Sequence, residues 1–328
     1  MKSYIVNLFL ITLVFAGCKD KPKENGEDQA AVEGTEMEIK ETDTALFFKL
    51  SLAQWSLHKA MESGEINPID FSKEAKELGF EGIEYVNQLY SEYLNEHSMQ
   101  QLLDTLKYES QKHQIRNVLI MVDGEGDLAV TDEKERNETV ENHKKWVDAA
   151  EYLGCHSIRV NLFGTNDPEE WVEVAVDGLK KLSEYAATKN INVLVENHGW
   201  LSSNAKLLAD VMKKVNMPNC GTLPDFGNFC VKRKDGERWD TECIEEYPKY
   251  EGVQEMMPYA KAVSAKSYNF DETGGETTIN YQKMLEIVKK SGYSSYIGVE
   301  YEGSEQGEIE GIKATRDLLI KAGKQLSE

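Results

Sequence analysis

Short apolar runs recur along the chain, each about the length of one buried strand, and stretches with a helical period separate them. The runs are FKLSLAQ (48–54), GIEYV (82–86), NVLIMV (117–122), SIRVNL (157–162), INVLVEN (191–197), GTLPDF (221–226), AVSAKSY (262–268) and YIGVEYE (296–302). Helical patterns with start and stop signals lie between them at 67–80, 131–154, 167–190 and 280–293. In the first, Asn67 stands as the cap, Pro68 in the first turn and Gly79 at the end. One strand with its crossover helix takes roughly 30 residues or a little more, which is the spacing of the runs. Eight such units predict an α/β fold, a (β/α)8 TIM barrel over residues 46–328 as a single domain. A doubly wound sheet of fewer units is the alternative, but no glycine-rich phosphate loop follows the first run.

The first 45 residues follow other rules. Lys2 precedes the apolar run YIVNLFLITLVF, and the small residues of AGC (16–18) follow it. That order describes a secretory signal over residues 1–17, too short for a spanning helix. VFAGC resembles a bacterial lipobox with Phe15 in place of the usual leucine, which makes Cys18 the expected lipidation site. From Lys19 to Thr44 there are nine acids, four lysines and no aromatic residue. Such a segment buries too little apolar surface to offset its ordering entropy, so residues 18–45 are read as lipidated cysteine and tether. The expected location is the cell envelope, lipid-anchored and facing the periplasm or the exterior.

Charge narrows the partners. Lys and Arg number 37 and Asp and Glu 58, a balance of −21, or −22 once Lys2 leaves with the signal. A field of that sign repels phosphate backbones and argues against nucleic acid. Cys155, Cys220, Cys230 and Cys243 remain after the anchor, can pair in three ways, and form no zinc-ribbon spacing. A homo-oligomer is compatible with this composition.

Chemistry in a TIM barrel sits at the C-terminal ends of the strands. Side chains alternate along a strand, so Glu196 and His198 share the inward face of the fifth run, with Val193 and Val195 outward. The same parity turns Ser264, Lys266 and Tyr268 inward on the seventh run and Glu300 and Glu302 inward on the eighth. Arg159 and Asn161 share a face of the fourth, Glu84 lies in the second, and Asp225 closes the sixth.

VENHG, LPDFGN, SAKSYNF and IGVEYEG, in that strand order, resemble the xylose-isomerase-like barrel family of sugar isomerases and epimerases. LAQWSLH (52–58) and GIEYVNQ (82–88) resemble a group of extracytoplasmic bacterial members. The resemblance implies a divalent metal held by Glu196, Asp225 and Glu300. The family's usual His-x-Lys of the seventh strand reads Ser264-x-Lys266 here, so one ligand position is changed, and His198 or water is the candidate replacement. Carboxylates crowded at one barrel end repel one another unless a cation joins them. Such a donor set suits Mn²⁺ best, with Mg²⁺ or Zn²⁺ as alternatives. The implied chemistry is proton removal beside a sugar carbonyl through an enediolate, with Glu196 and Glu300 as the acid–base pair and Lys266 as a donor. A lyase or hydratase on 3-keto-glycosides shares the first step. A sugar-binding lipoprotein without catalysis also fits, given Ser264. Trp55, His58, Glu84, Arg159, Asn161, Asn228 and Ser264 complete the expected substrate contacts, and the expected ligand is a small carbohydrate.

Each residue has a plainer reading. Strand-end acids cap helices, Lys266 pairs with Glu300 across neighbouring strands, Arg159 and Asn161 order the carboxylates, and Trp55 packs in the core. The basic stretch VKRKDGER (231–238) reads as a solvated loop or an anion contact, and DGEGDLAV (123–130) as a lid or an ordinary turn.

Overall fold

The structure, a computed structural model, describes residues 45–239 and 241–327. The expected signal, Cys18 and the expected tether up to Thr44 lie outside the described residues.

Eight parallel strands form one sheet: β1 (Lys49–Ala53), β2 (Gly82–Val86), β3 (Arg116–Val122), β4 (Ser157–Val160), β5 (Asn192–Glu196), β6 (Cys220–Leu223), β9 (Val263–Ser267) and β10 (Tyr296–Tyr301). Their order is β6-β5-β4-β3-β2-β1-β10-β9. The two edges meet through parallel bridges, Thr222 with Ala260 and Asp225 with Ser264. Pro224 has no N–H to give, yet its carbonyl accepts from Ser264 N at 2.9 Å while Phe226 N donates to Ser264 O at 3.1 Å. This seam closes the barrel, and two of the expected site residues flank it.

Side-chain alternation sorts the strands as expected. Val193, Val195, Val299 and Tyr301 join the large core under the helices. Leu119, Met121, Leu194 and Leu223 make a small cluster inside the barrel. The rest of the interior is polar and buried: Ser51, Glu84, Arg159, Glu196, Ser264, Lys266 and Glu300. Filling a barrel with such groups costs free energy unless they pair with one another.

The helices start where their caps stand. Asn67 accepts from Ile69 N, Asp132 from Glu135 N, Asp167 from Glu169 N and Glu170 N, and Asn280 from Lys283 N. Helices at Met99–Lys112, Ala205–Val215, Lys249–Met256 and Glu308–Ser327 add to those read from the sequence. The first strand stops at Ala53 and gives way to a 3-10 turn at Gln54–Leu57, and the sixth stops at Leu223, both short of the apolar run. Among the described residues no helix is long and apolar enough to cross a membrane.

After β6 the chain makes an antiparallel hairpin, β7 (Cys230–Arg233) and β8 (Cys243–Glu246). A disulfide joins Cys230 to Cys243, whose Cα atoms lie 5.8 Å apart. Cys155 and Cys220 are free and buried. The basic stretch thus belongs to a covalently closed hairpin rather than to an open loop.

Candidate metal and carbohydrate site

The polar layer converges at the seam. One carboxylate oxygen each from Glu196, Asp225 and Glu300 lies within 4.8 Å of the others, and all three residues are at most 3% exposed. Each arrives by ordinary local geometry. Glu196 ends β5 and Glu300 lies in β10, both on the inward parity. Asp225 follows Pro224, and its backbone N donates to Asn197 Oδ1 at 2.7 Å while Asn197 Nδ2 donates to Asp225 O at 3.0 Å. Asp225 Oδ1 then takes the amides of Gly227 (2.8 Å) and Asn228 (2.7 Å). Gly227 is required here, because a Cβ would stand 2.8 Å from Lys266 Cγ and 2.6 Å from the Tyr268 hydroxyl.

Ser264, at the changed family position, sits between two of the acids. Its Oγ is 2.6 Å from Asp225 Oδ2 and 2.9 Å from Glu300 Oε2. One hydroxyl proton can serve only one of these contacts. The other demands a carboxyl proton or a cation between the oxygens. Burial pushes Asp225 up to about 8, with Glu196 and Glu300 adding to the rise and Lys266 opposing it. Burial likewise pushes Glu196 up to about 7, against the pull of Arg159.

Two buried cations answer part of this charge. Lys266 Nζ lies 3.2 Å from Glu300 Oε1 and 2.9 Å from Glu302 Oε1. Burial works against its charge, but Glu300, Glu302 and Asp225 outweigh that and hold the ammonium well above its usual range. Arg159 Nε stands 2.8 Å from Glu196 Oε2. The approach is off the angle a hydrogen bond needs, so both atoms stay without a hydrogen-bond partner despite burial. The contact is electrostatic only. A buried carboxylate oxygen free of hydrogen bonds, beside two further carboxylates, fits a divalent cation bound by oxygen donors.

A second network lies beside the first. Arg159 Nη1 donates to Asp123 Oδ1 at 2.8 Å and Asn161 Nδ2 donates to the same oxygen at 2.6 Å. That fixes the Asn161 amide with Oδ1 toward His198 Nδ1, 2.7 Å away. Nδ1 therefore carries the proton, by assignment from this contact, and Nε2 keeps its lone pair. Burial, with Arg159, pulls His198 down to about 4, so the ring is neutral at pH 7. His198 lies outside the carboxylate group.

Above the cluster opens a cavity of about 960 Å³, lined by Glu300, Glu302, His198, Asn161, Arg159 and Asn228 among others. Trp55 and His58 line it too, their rings stacked at 4.3 Å and 5°. Asn228 Nδ2 donates to Glu196 Oε1 at 3.1 Å, linking cavity and cluster. Lys266, Glu196 and Asp225 sit beneath its surface. Glu84 is deeper: it takes Ser51 Oγ at 2.6 Å, burial pushes it up to about 8, and it does not line the cavity. Gly298 leaves room for it, since a Cβ there would meet Glu84 Oε1 at 2.6 Å. Asp123 and Glu302 were not among the expected site residues. Glu302 shares the parity of Glu300, and Asp123 directly follows the third apolar run, so both carried a signal.

The fold and this strand-end set define a TIM barrel with an acidic interior site. The chain matches the xylose isomerase-like TIM barrel family over residues 72–322 and belongs to it. No curated protein matches it in sequence. Among solved structures it is similar to D-psicose 3-epimerase with D-tagatose from Clostridium cellulolyticum H10, at 15% identity and TM-score 0.63, covering 84% of this chain and 99% of that one. It is similar to 3-keto-D-glucoside 4-epimerase from E. coli, at 12% identity and TM-score 0.61, covering 84% and 100%. A third is an IOLI protein with a bound zinc atom, at 18% identity and TM-score 0.61, covering 84% and 98%. At these identities the likeness establishes the fold.

Proposed function

We propose that the protein is a carbohydrate isomerase or epimerase that works with one divalent cation held by Glu196, Asp225 and Glu300. The convergence of these three carboxylates within 4.8 Å carries the reading. Family membership and the sugar epimerases among its structural neighbours support it. Mn²⁺ suits the all-oxygen set, with Mg²⁺ or Zn²⁺ as alternatives. When bound, the cation supplies Lewis-acid polarisation of a sugar carbonyl.

The chain's own groups do the rest. Glu300 faces the cavity and takes the proton from the carbon beside the carbonyl. Glu196, on another strand just beneath the cavity surface, completes the acid–base pair as its second carboxylate. Lys266 keeps Glu300 and Glu302 in place and opposes their repulsion. His198 Nε2 accepts a hydrogen bond from a sugar hydroxyl, in a tautomer set by Asn161 and Asp123. Asn228 holds Glu196, and Arg159 balances the pair electrostatically.

The test is solvent exchange. With Mn²⁺ and a panel of ketoses and 3-keto-glycosides in D₂O, deuterium enters the carbon beside the carbonyl. No exchange on any member sinks the reading. Exchange accompanied by loss of a leaving group reassigns the enzyme as a lyase on the same proton abstraction. We further propose anchoring to the envelope through Cys18, tested by palmitate labelling that a Cys18→Ala variant loses.

A further inference from the structure

Among the described residues three large apolar side chains are exposed: Tyr108, Trp239 and Ile244. Trp239, 41% exposed, is the one of these that lines the cavity above the carboxylates. An exposed indole is ordinarily a liability that a chain need not fix in place. This one is fixed from several sides. The disulfide Cys230–Cys243 closes the hairpin whose loop carries it. Its neighbour Arg238 pairs with Asp127 at 2.9 Å, tying the loop to the chain after β3. The Arg238 guanidinium also lies 4.3 Å from the centre of the Phe163 ring and 5.0 Å from that of Trp200. Trp200 Nε1 donates to Glu237 O at 3.3 Å. The Trp239 ring itself meets Phe163 edge-on at 5.7 Å and His198 at 4.9 Å. An aromatic face is thus held at the rim, in contact with the histidine that lines the floor.

The cavity, about 960 Å³, stands at the upper end of the roughly 300–1,000 Å³ usual for small-molecule sites. One sugar ring placed at the carboxylates fills only part of it. We infer that Trp239, with Phe163 behind it, forms a second subsite that stacks the apolar C–H face of a further sugar ring. The substrate class is then a disaccharide-sized glycoside whose reacting ring lies at the carboxylates and whose other ring lies under Trp239. This deepens the proposed function and rests on it for the position of the reacting ring. Amphipathic indoles suit this task, giving a broad apolar face with little conformational entropy to lose.

The test compares matched probes on the full-length protein by calorimetric titration. Trehalose, maltose, cellobiose and lactose are each set against the methyl glycoside of the ring they share. At least one disaccharide should bind about tenfold more tightly than its partner, as one well-placed aromatic face allows. That ratio should collapse toward unity in Trp239→Ala, persist in part in Trp239→Phe, and remain in Tyr108→Ala. It should also fall in Cys230→Ser/Cys243→Ser, where the loop loses its covalent closure. A ratio near one for every disaccharide, or one that survives Trp239→Ala, overturns the subsite. Deuterium exchange, followed separately on the methyl 3-keto-glycosides, keeps the two readings apart. Exchange without a disaccharide advantage sinks the subsite alone, and an advantage without exchange sinks the catalytic proposal alone.

Discussion

Glu300 reaches the floor of the cavity, and Glu196, Ser264 and Lys266 the layer just beneath it, from regular strands, whereas Arg238 and Trp239 reach the rim from the turn of a disulfide-closed hairpin. At the floor, position follows from parity and register. Ser264 pairs with Gly298 and Lys266 with Glu300 in the β9–β10 ladder, so the charged groups face one another as soon as the strands align. At the rim, position follows from pairs distant in sequence, such as Arg238 with Asp127, 111 residues apart. The floor is shielded from water, which strengthens the interactions among its charges. The rim is partly solvated, so its ion pair contributes little by itself and serves to hold an aromatic face.

That contrast can be attacked first at the floor, where the largest effect is expected. Glu300→Gln keeps the shape and removes the charge to which the proposed function assigns proton removal. The exchange rate should fall about 10²–10⁴-fold, the usual share of a positioned acid–base group. A fall of less than threefold would show that Glu300 is only structural.

The second effect is on stability against pH. Asp225 and Glu196 have folded values of about 8 and about 7, above those of free carboxyls. At these two groups the folded state therefore holds more protons than the unfolded state between those limits, and the stability they contribute falls as pH rises. In chelator, the melting temperature should drop between about pH 7 and 8, above the window where His198, pulled down to about 4, gives the opposite slope. Added Mn²⁺ should flatten that slope. A chelated protein that gains stability across this window would contradict the coupling.

The third test probes packing beneath the site. Gly298→Ala drives a methyl to 2.6 Å from the Glu84 carboxyl, and both lie inside the closed barrel. Overpacking of this kind costs about 1–3 kcal/mol, read by chemical denaturation. At the rim, Arg238→Ala should change global stability by under about 1 kcal/mol, because its partner is partly exposed. An equal loss in both variants would erase the distinction between floor and rim.

The same distinction explains what the sequence disclosed. Period-2 alternation marked Glu196, Lys266 and Glu300 as inward, and the strand–helix spacing marked the barrel. Asp225 was visible as the acid closing a run, although Pro224 had already ended the regular strand. Glu84 shows the limit of parity: it gives the face but not the depth, and Gly298 admits the side chain below the cavity floor. Trp239 carried no local signal at all, since its position depends on a hairpin, a disulfide choice among three and a salt bridge across the barrel mouth. Ser264 was legible as a departure from the family pattern, but its place between Asp225 and Glu300 required the closed seam.

The most direct measurement is a titration of Mn²⁺ into the chelator-stripped protein, repeated in buffers of different ionisation enthalpy. Asp225 and Glu196 must shed protons for the cation to bind, so one ion per chain should bind with proton release at pH 7. Asp225→Asn should lose at least about 100-fold in affinity. Binding that leaves protons untouched, or that Asp225→Asn leaves unchanged, would contradict the idea that these carboxylates act together on one cation.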